Sequence, residues 1–130
     1  MGLDSPEMNG CILAIVGSSV LSDEEWPEAV HAVDAAIDRH QPRLVISGGA
    51  PGVDTIAEQR ADARGIPKQV LAPRVKRWAG PGGFKERNGH IAQGCECLER
   101  IYSPDSKTYG SGWTADEAER LGKHVERTPL

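Results

Sequence analysis

The chain has no long hydrophobic run. Its longest, Cys11-Ile-Leu-Ala-Ile-Val16, falls far short of the ~20 residues that span a bilayer, so no membrane partner is expected. Met1 to Gly10 is polar and acidic, without the apolar stretch of a secretory leader. Residues 1–10 are expected to form a flexible N-terminal segment, and the expected location is cytoplasmic. Cysteine is scarce as well. Cys11, Cys95 and Cys97 cannot all pair, and a disulfide scaffold needs an even and denser set. Cys95 and Cys97 form a C-x-C pair with no second pair and no histidine at ligand spacing. Buried or half-buried thiols are therefore expected, with no metal and no cofactor. Positive charge is also in deficit: 15 Lys and Arg stand against 19 Asp and Glu, a net charge of −4. Such a balance disfavours holding nucleic acid through the whole surface and leaves a small nucleotide in a local nest open. Internal repeats and low-complexity tracts are absent.

What is present is a regular alternation. A chain of 130 residues makes one domain with a single core, here residues 11–130. Cys11 to Val16 reads as a strand buried on both faces, ending at Gly17. Ser22 and Glu25 have capping-box spacing, while Pro27 suits a slightly later start, so the first helix is left open by several residues. Its apolar face is Ala29, Val30, Val33, Ala36 and Ile37. Leu44 to Ile46 is a second strand, Val53 to Arg64 a second helix ended by Gly65, and Gln69 to Leu71 a third strand. Ala72 to Lys85 carries Pro73, Pro81 and three glycines and reads as a long loop. Beyond it are expected a helix over Arg87 to Gln93, a strand over Cys97 to Tyr102, and a turn-rich loop over Ser103 to Gly112. A last helix over Thr114 to Leu121 and a strand over His124 to Arg127 complete the chain. Strands alternating with helices imply a doubly wound α/β sheet of about five mainly parallel strands, with ligands held beyond the strands' carboxyl ends.

The most informative segment is Leu44-Val-Ile-Ser-Gly-Gly-Ala-Pro-Gly-Val-Asp-Thr-Ile-Ala-Glu58, an apolar strand running into a glycine-rich turn and then a helix. Gly48, Gly49 and Gly52 let the chain turn sharply after Ser47 and bring amides against an anion, and the helix dipole adds to the attraction. The plainer reading is a tight strand-to-helix connection. Gly110, Ser111, Gly112 and Thr114, placed just before the last helix, are read as a second phosphate cradle, or as a simple cap.

Three features together, Ile15-Val-Gly-Ser18, Ser47-Gly-Gly-Ala-Pro-Gly-Val-Asp54, and Gly80-Pro81 followed by Arg87-Asn88, resemble the SLOG superfamily in its small single-domain members. That superfamily includes the lonely-guy, cytokinin-activating phosphoribohydrolases and the domain of the DNA-processing protein A family. The resemblance covers about residues 11 to 127. It implies a Rossmann-like fold whose loops bind nucleotides or their derivatives, with Gly17, Ser18, Gly48, Gly49 and Asp54 as contacts, and a homo-oligomer. The enzymes of the superfamily read Gly-x-Gly-Thr-x-x-Glu in the last loop. Here Thr114-x-x-Glu117 matches, and Trp113 interrupts the Gly-Thr step. Ser19 stands where small members often carry an arginine, and Arg87 is the replacement cation.

Asp54 is read either as an acceptor for a ribose hydroxyl or base amine, or as a helix-first-turn carboxylate. Arg87 offers a planar fork to phosphate and Asn88 both donor and acceptor, against a surface salt bridge to Glu86 or Glu96. Trp78 and Trp113 are candidates to stack on a base, or to cover the core. Glu117 is the nominated general acid or base should the chain be an enzyme, with Glu58 weaker. The four histidines show no common spacing.

The expected function is binding of a phosphate-bearing nucleotide or nucleotide derivative, as a sensor or ligand-binding module. The ligand set is Gly17, Ser18, Ser19, Ser47, Gly48, Gly49, Gly52, Asp54, Arg87, Asn88, Gly110, Ser111, Gly112 and Thr114. One alternative is a phosphoribohydrolase centred on Glu117. Another is single-stranded DNA binding through Arg74, Lys76, Arg77, Lys85 and Arg87, disfavoured by net charge.

Overall fold

Among the described residues the alternation is realised as nine elements in strict order. They are β1 (Ile12–Gly17), α1 (Glu25–His40), β2 (Leu44–Ser47), α2 (Val53–Ala63), β3 (Lys68–Val70), α3 (Phe84–Gly94), β4 (Cys97–Tyr102), α4 (Gly110–Arg120) and β5 (His124–Pro129). The structure, a computed structural model, describes residues 10–106 and 110–130. The N-terminal segment expected to be flexible therefore lies outside the described residues except for Gly10, as do residues 107–109 of the loop expected over Ser103 to Gly112.

The five strands pair in parallel in the order β3-β2-β1-β4-β5, with Leu13 of β1 beside Val45 on one side and Cys97 on the other. A central strand is covered on both faces, which is why β1 reads as a continuous apolar run. Leu13 and Ile15 pack under α1 and α2 with Val33, Ile37, Val53 and Ile56. Ala14 and Val16 pack under α3 and α4 with Ile91, Ala92, Ala115 and Ala118. Each large side chain so buried contributes about 1.5–3 kcal/mol relative to exposure. The chain moves outward from β1 to β3, then crosses back to β4, so the strand order reverses between β1 and β4.

The ambiguous start of α1 resolves as a capping box. The Ser22 amide donates to Glu25 Oε1 at 3.0 Å and the Glu25 amide to Ser22 Oγ at 3.1 Å. Pro27 follows the Trp26 amide, whose bond to the Ser22 carbonyl at 3.0 Å closes the first turn, and itself supplies no amide donor. Gln41, at φ 44°, ends the helix in the left-handed region and donates to the Ile37 carbonyl at 2.8 Å.

Two helices begin earlier than their glycines imply. α3 starts at Phe84, not Arg87, because the returning loop feeds its first turn: the Phe84 and Lys85 amides donate to the Arg77 and Trp78 carbonyls at 2.8 and 2.9 Å. α4 starts at Gly110, so Gly110, Ser111 and Gly112 lie inside its first turn instead of before it. The Thr114 hydroxyl donates back to the Gly110 carbonyl at 2.8 Å and closes that turn. β3 starts one residue earlier than expected, and β5 runs on to Pro129, which an edge strand tolerates. Among the described residues no helix is long and apolar enough to cross a membrane.

Candidate functional site

Where strand order reverses, the connections after β1 and β4 leave toward opposite faces and a crevice opens beyond the strand ends. A cavity of about 380 Å³ occupies it. Val16, Gly17 and Ser19 form its base, Ala50 and Asp54 one side, and Phe84, Arg87, Asn88 and Ile91 of α3 another. Trp78 and the α4 residues Gly110, Ser111 and Thr114 complete the wall. Of the expected ligand residues, Gly17, Ser19, Asp54, Arg87, Asn88, Gly110, Ser111 and Thr114 are brought together. Ser18, Ser47, Gly48, Gly49, Gly52, Gly112 and Glu117 are not on the wall.

The residues off the wall shape it from behind. A Cβ on Gly17 would stand 1.9 Å from the Ile101 carbonyl oxygen and 2.8 Å from Val53, so only glycine lets β1, β4 and α2 meet at this height. Ser18 is buried and spent on the scaffold: its Oγ accepts the Ser103 amide at 2.9 Å and its carbonyl the Val53 amide at 3.1 Å. Gly52, at φ 78°, passes so close to Ser18 that a Cβ would lie 2.3 Å from its carbonyl oxygen. Ser47 is buried and donates its hydroxyl to Glu58.

The anion in the glycine turn is the protein's own. Asp54 Oδ2 accepts the Gly48 and Ala50 amides, each at 3.2 Å. Of these two, the Gly48 amide belongs to the turn that sequence reasoning offers to a ligand phosphate. Burial pushes the Asp54 carboxyl up from 3.8 to about 6, and the neighbouring Glu58 pushes the same way. The Ala50 and Gly48 amides and the Arg87 charge hold it back from rising further. Arg87 is itself half-buried: it donates to the carbonyl of Gly48, to that of Leu71 at 3.3 Å, and through Nε to Asn88 Oδ1 at 2.7 Å. Burial lowers its pKa while Asp54 opposes that, and the guanidinium lies 5.7 Å from the Phe84 ring centroid. Arg87 is thus a cation held on the cavity wall, and no ion pair joins it to Glu86 or Glu96 among the described residues.

On the α4 side, Ser111 Oγ accepts from Arg100 Nε at 3.0 Å, and Asn88 Nδ2 reaches the Gly110 carbonyl at 3.4 Å. Glu117 turns elsewhere. Arg120 grips both its oxygens at 2.8 and 2.6 Å and holds its carboxyl below the usual range. A carboxylate so paired, off the cavity wall, is a poor proton donor to a departing base. Asp54 is the carboxylate on the wall among the described residues.

Sequence reasoning missed the apolar half of the cavity, Val16, Ala50, Phe84 and Ile91. Val16 and Ile91 carry the spacing of ordinary core residues, while Ala50 and Phe84 fall in segments read as turn and loop. Trp78 stands on the wall as a stacking candidate, its ring 5.6 Å from that of Trp113 and nearly perpendicular to it. The loop before α3 is braced, with the Arg74 and Val75 amides donating to the Gly82 carbonyl at 2.8 and 3.0 Å, and the Gly82 amide to Glu86 Oε1 at 3.1 Å. Arg74, Lys76 and Arg77 are exposed on that loop and Lys85 just beyond it. The arrangement offers a cavity with apolar and polar walls, the Arg87 cation on one of them, and several solvent-facing cations beside it.

No protein-family model and no curated protein sequence matches the chain. Solved structures of other proteins share its architecture. DNA processing protein A from Streptococcus pneumoniae superposes with a TM-score of 0.54 at 15% identity, over 92% of this chain. This chain spans only 59% of that structure's length. DNA processing protein A from Helicobacter pylori, described with a single-stranded DNA binding mode, superposes with a TM-score of 0.66 at 17% identity, over 96% of this chain and 68% of its own. The chain therefore has the Rossmann-like fold of DNA processing protein A, the fold that its resemblance to the SLOG superfamily implied.

Proposed function

We propose that this domain binds single-stranded DNA, seating one nucleotide in the switch-point cavity and neighbouring phosphates on the loop before α3. The observation that carries the reading is the placement of Trp78 and Arg87 on the cavity wall beside exposed Arg74, Lys76, Arg77 and Lys85. An aromatic face for a base and cations for the backbone are the two parts of sequence-tolerant single-strand binding. The described single-stranded DNA binding of the Helicobacter pylori protein, which shares the fold, supports the same reading. Net charge argued the other way, yet affinity for a polyanion depends on the local field, and the acidic residues sit largely elsewhere, in surface pairs such as Asp34 with Arg60 and Asp38 with Arg64.

A free nucleotide is the second reading, favoured by the cavity's volume of about 380 Å³, within the range of small-molecule sites. Hydrolysis of such a nucleotide finds no support in the placement of Glu117. A homo-oligomer remains part of the proposal, to be read by light scattering.

Fluorescence anisotropy of a labelled oligo(dT) tests the main reading. Replacing Arg74, Lys76 and Arg77 by Ala together should weaken binding at least 10-fold, and mononucleotides should compete poorly. Equal affinity of the triple variant, or full competition by a mononucleotide at micromolar concentration, would move the assignment to a free nucleotide.

A further inference from the structure

At the opposite end of the sheet from the cavity, residues remote in sequence meet. Cys11 leads into β1, Cys97 opens β4, and the parallel register sets Leu13 beside Cys97. His40, the last residue of α1, comes down over both. The Cys11 and Cys97 sulfurs and a His40 ring nitrogen all lie within 4.8 Å of one another. We propose that Cys11, Cys97 and His40 form a binding site for Zn²⁺ or a chemically similar thiophilic cation, with the fourth position left to solvent.

The donor set selects the class of metal. Two thiolates and an imidazole suit a borderline-soft d¹⁰ ion and offer nothing to Mg²⁺ or Ca²⁺. In a tetrahedral zinc site two sulfurs stand about 3.8 Å apart, so side-chain rotation alone brings the ligands to bonding distance. The surroundings supply the orientation that metal-bound histidines need. His40 Nε2 lies 2.9 Å from Glu99 Oε2, which leaves Nδ1 as the lone pair for a metal when Nε2 carries the proton. Glu99 is fully buried, and its Oε1 has no hydrogen-bond partner among the described residues. The Arg39 guanidinium is 3.1 Å from that oxygen, out of hydrogen-bond alignment. Glu126, paired with Glu99 in the sheet register, and His124, paired with Cys97, close the surroundings, the His124 ring centroid 6.0 Å from that of His40. A buried, incompletely satisfied carboxylate beside a histidine is a costly arrangement for an apolar sheet face, and a cation on that histidine offsets it. Linear spacing concealed the site, because the C-x-C pair that draws the eye is the wrong pair. Cys95 packs on the other face, against the Ala92 carbonyl.

The test is a titration of the reduced, metal-free full chain with Co²⁺, followed by displacement with Zn²⁺. One equivalent should produce a thiolate-to-cobalt charge-transfer band that Zn²⁺ abolishes. Cys11→Ser and Cys97→Ser should each remove the band, and Cys95→Ser should retain it. Glu99→Gln, acting through His40, should weaken Zn²⁺ about 10-fold, read by competition with a chromophoric chelator. Should a cysteine variant fail to fold by circular dichroism, the wild-type spectrum still decides. No thiolate band at stoichiometric Co²⁺ would overturn the proposal. So would a band surviving loss of both Cys11 and Cys97, or a Cys11–Cys97 disulfide forming in air in a chain that binds no metal when reduced.

Discussion

Replacing Asp54 by Asn isolates the cost of ionising a carboxylate inside the glycine turn. Asp54 is 6% exposed, and its oxygen accepts the Gly48 and Ala50 amides, bonds that an Asn side-chain oxygen can also accept. Its pKa is raised from 3.8 to about 6 in the folded protein. A raised carboxyl pKa means the folded state binds the proton more tightly than the unfolded state does. Stability is therefore greatest below pH 4 on this account and falls as pH climbs from about 4 to about 6, then levels off. The full difference is about 3 kcal/mol. Urea denaturation of wild type and Asp54→Asn at a series of pH values reads it directly. The variant should gain about 3 kcal/mol on wild type between pH 4 and pH 7, with a plateau above. A constant difference across that range would refute the reasoning, and a difference of opposite slope would place the folded pKa below 3.8.

The same geometry sets other expectations. Gly17→Ala forces a Cβ against the Ile101 carbonyl and Val53, and should cost about 3 kcal/mol or more in chemical denaturation. Ser22→Ala removes one half of the capping box and should cost about 1 kcal/mol. Trp78→Ala should weaken oligo(dT) binding about 10-fold or more, the worth of one stacked base, measured under conditions where circular dichroism shows the variant folded. Glu117→Gln should alter neither DNA affinity nor nucleotide recovery by chromatography, because its carboxylate is tied to Arg120 and stands off the cavity wall.

The fold was largely legible because its signals are local. The Cys11 to Val16 run, the Ser22 and Glu25 pair, and Gly65 after α2 each state their element within a few residues. The two misplaced helix starts share one cause: the glycines around Gly83 and at Gly110 and Gly112 read as loop, while hydrogen bonds from Phe84 and Lys85 to the preceding loop, and from Thr114 to Gly110, carry them into helix starts. The cavity was half legible. Many of its polar members sit in recognisable turns, but Ile91 has the spacing of a core residue, and Phe84 lies in a segment that reads as loop. That Asp54 takes the Gly48 and Ala50 amides was not legible, for a physical reason. An amide nest attracts any carboxylate within reach, and Asp54, one helical turn on, is closer than any ligand. Cys11, His40 and Cys97 were invisible as a group, since only the sheet register and the end of α1 unite them.

The salt dependence of oligo(dT) affinity reads out whether DNA phosphates meet the loop before α3. If Arg74, Lys76, Arg77 and Lys85 meet the phosphates, log K should fall against log salt with a slope of about −3, and each cation removed should reduce the slope by about 0.7. No measurable binding at low salt, or a slope near zero, would contradict a single-stranded DNA site at the sheet's switch point.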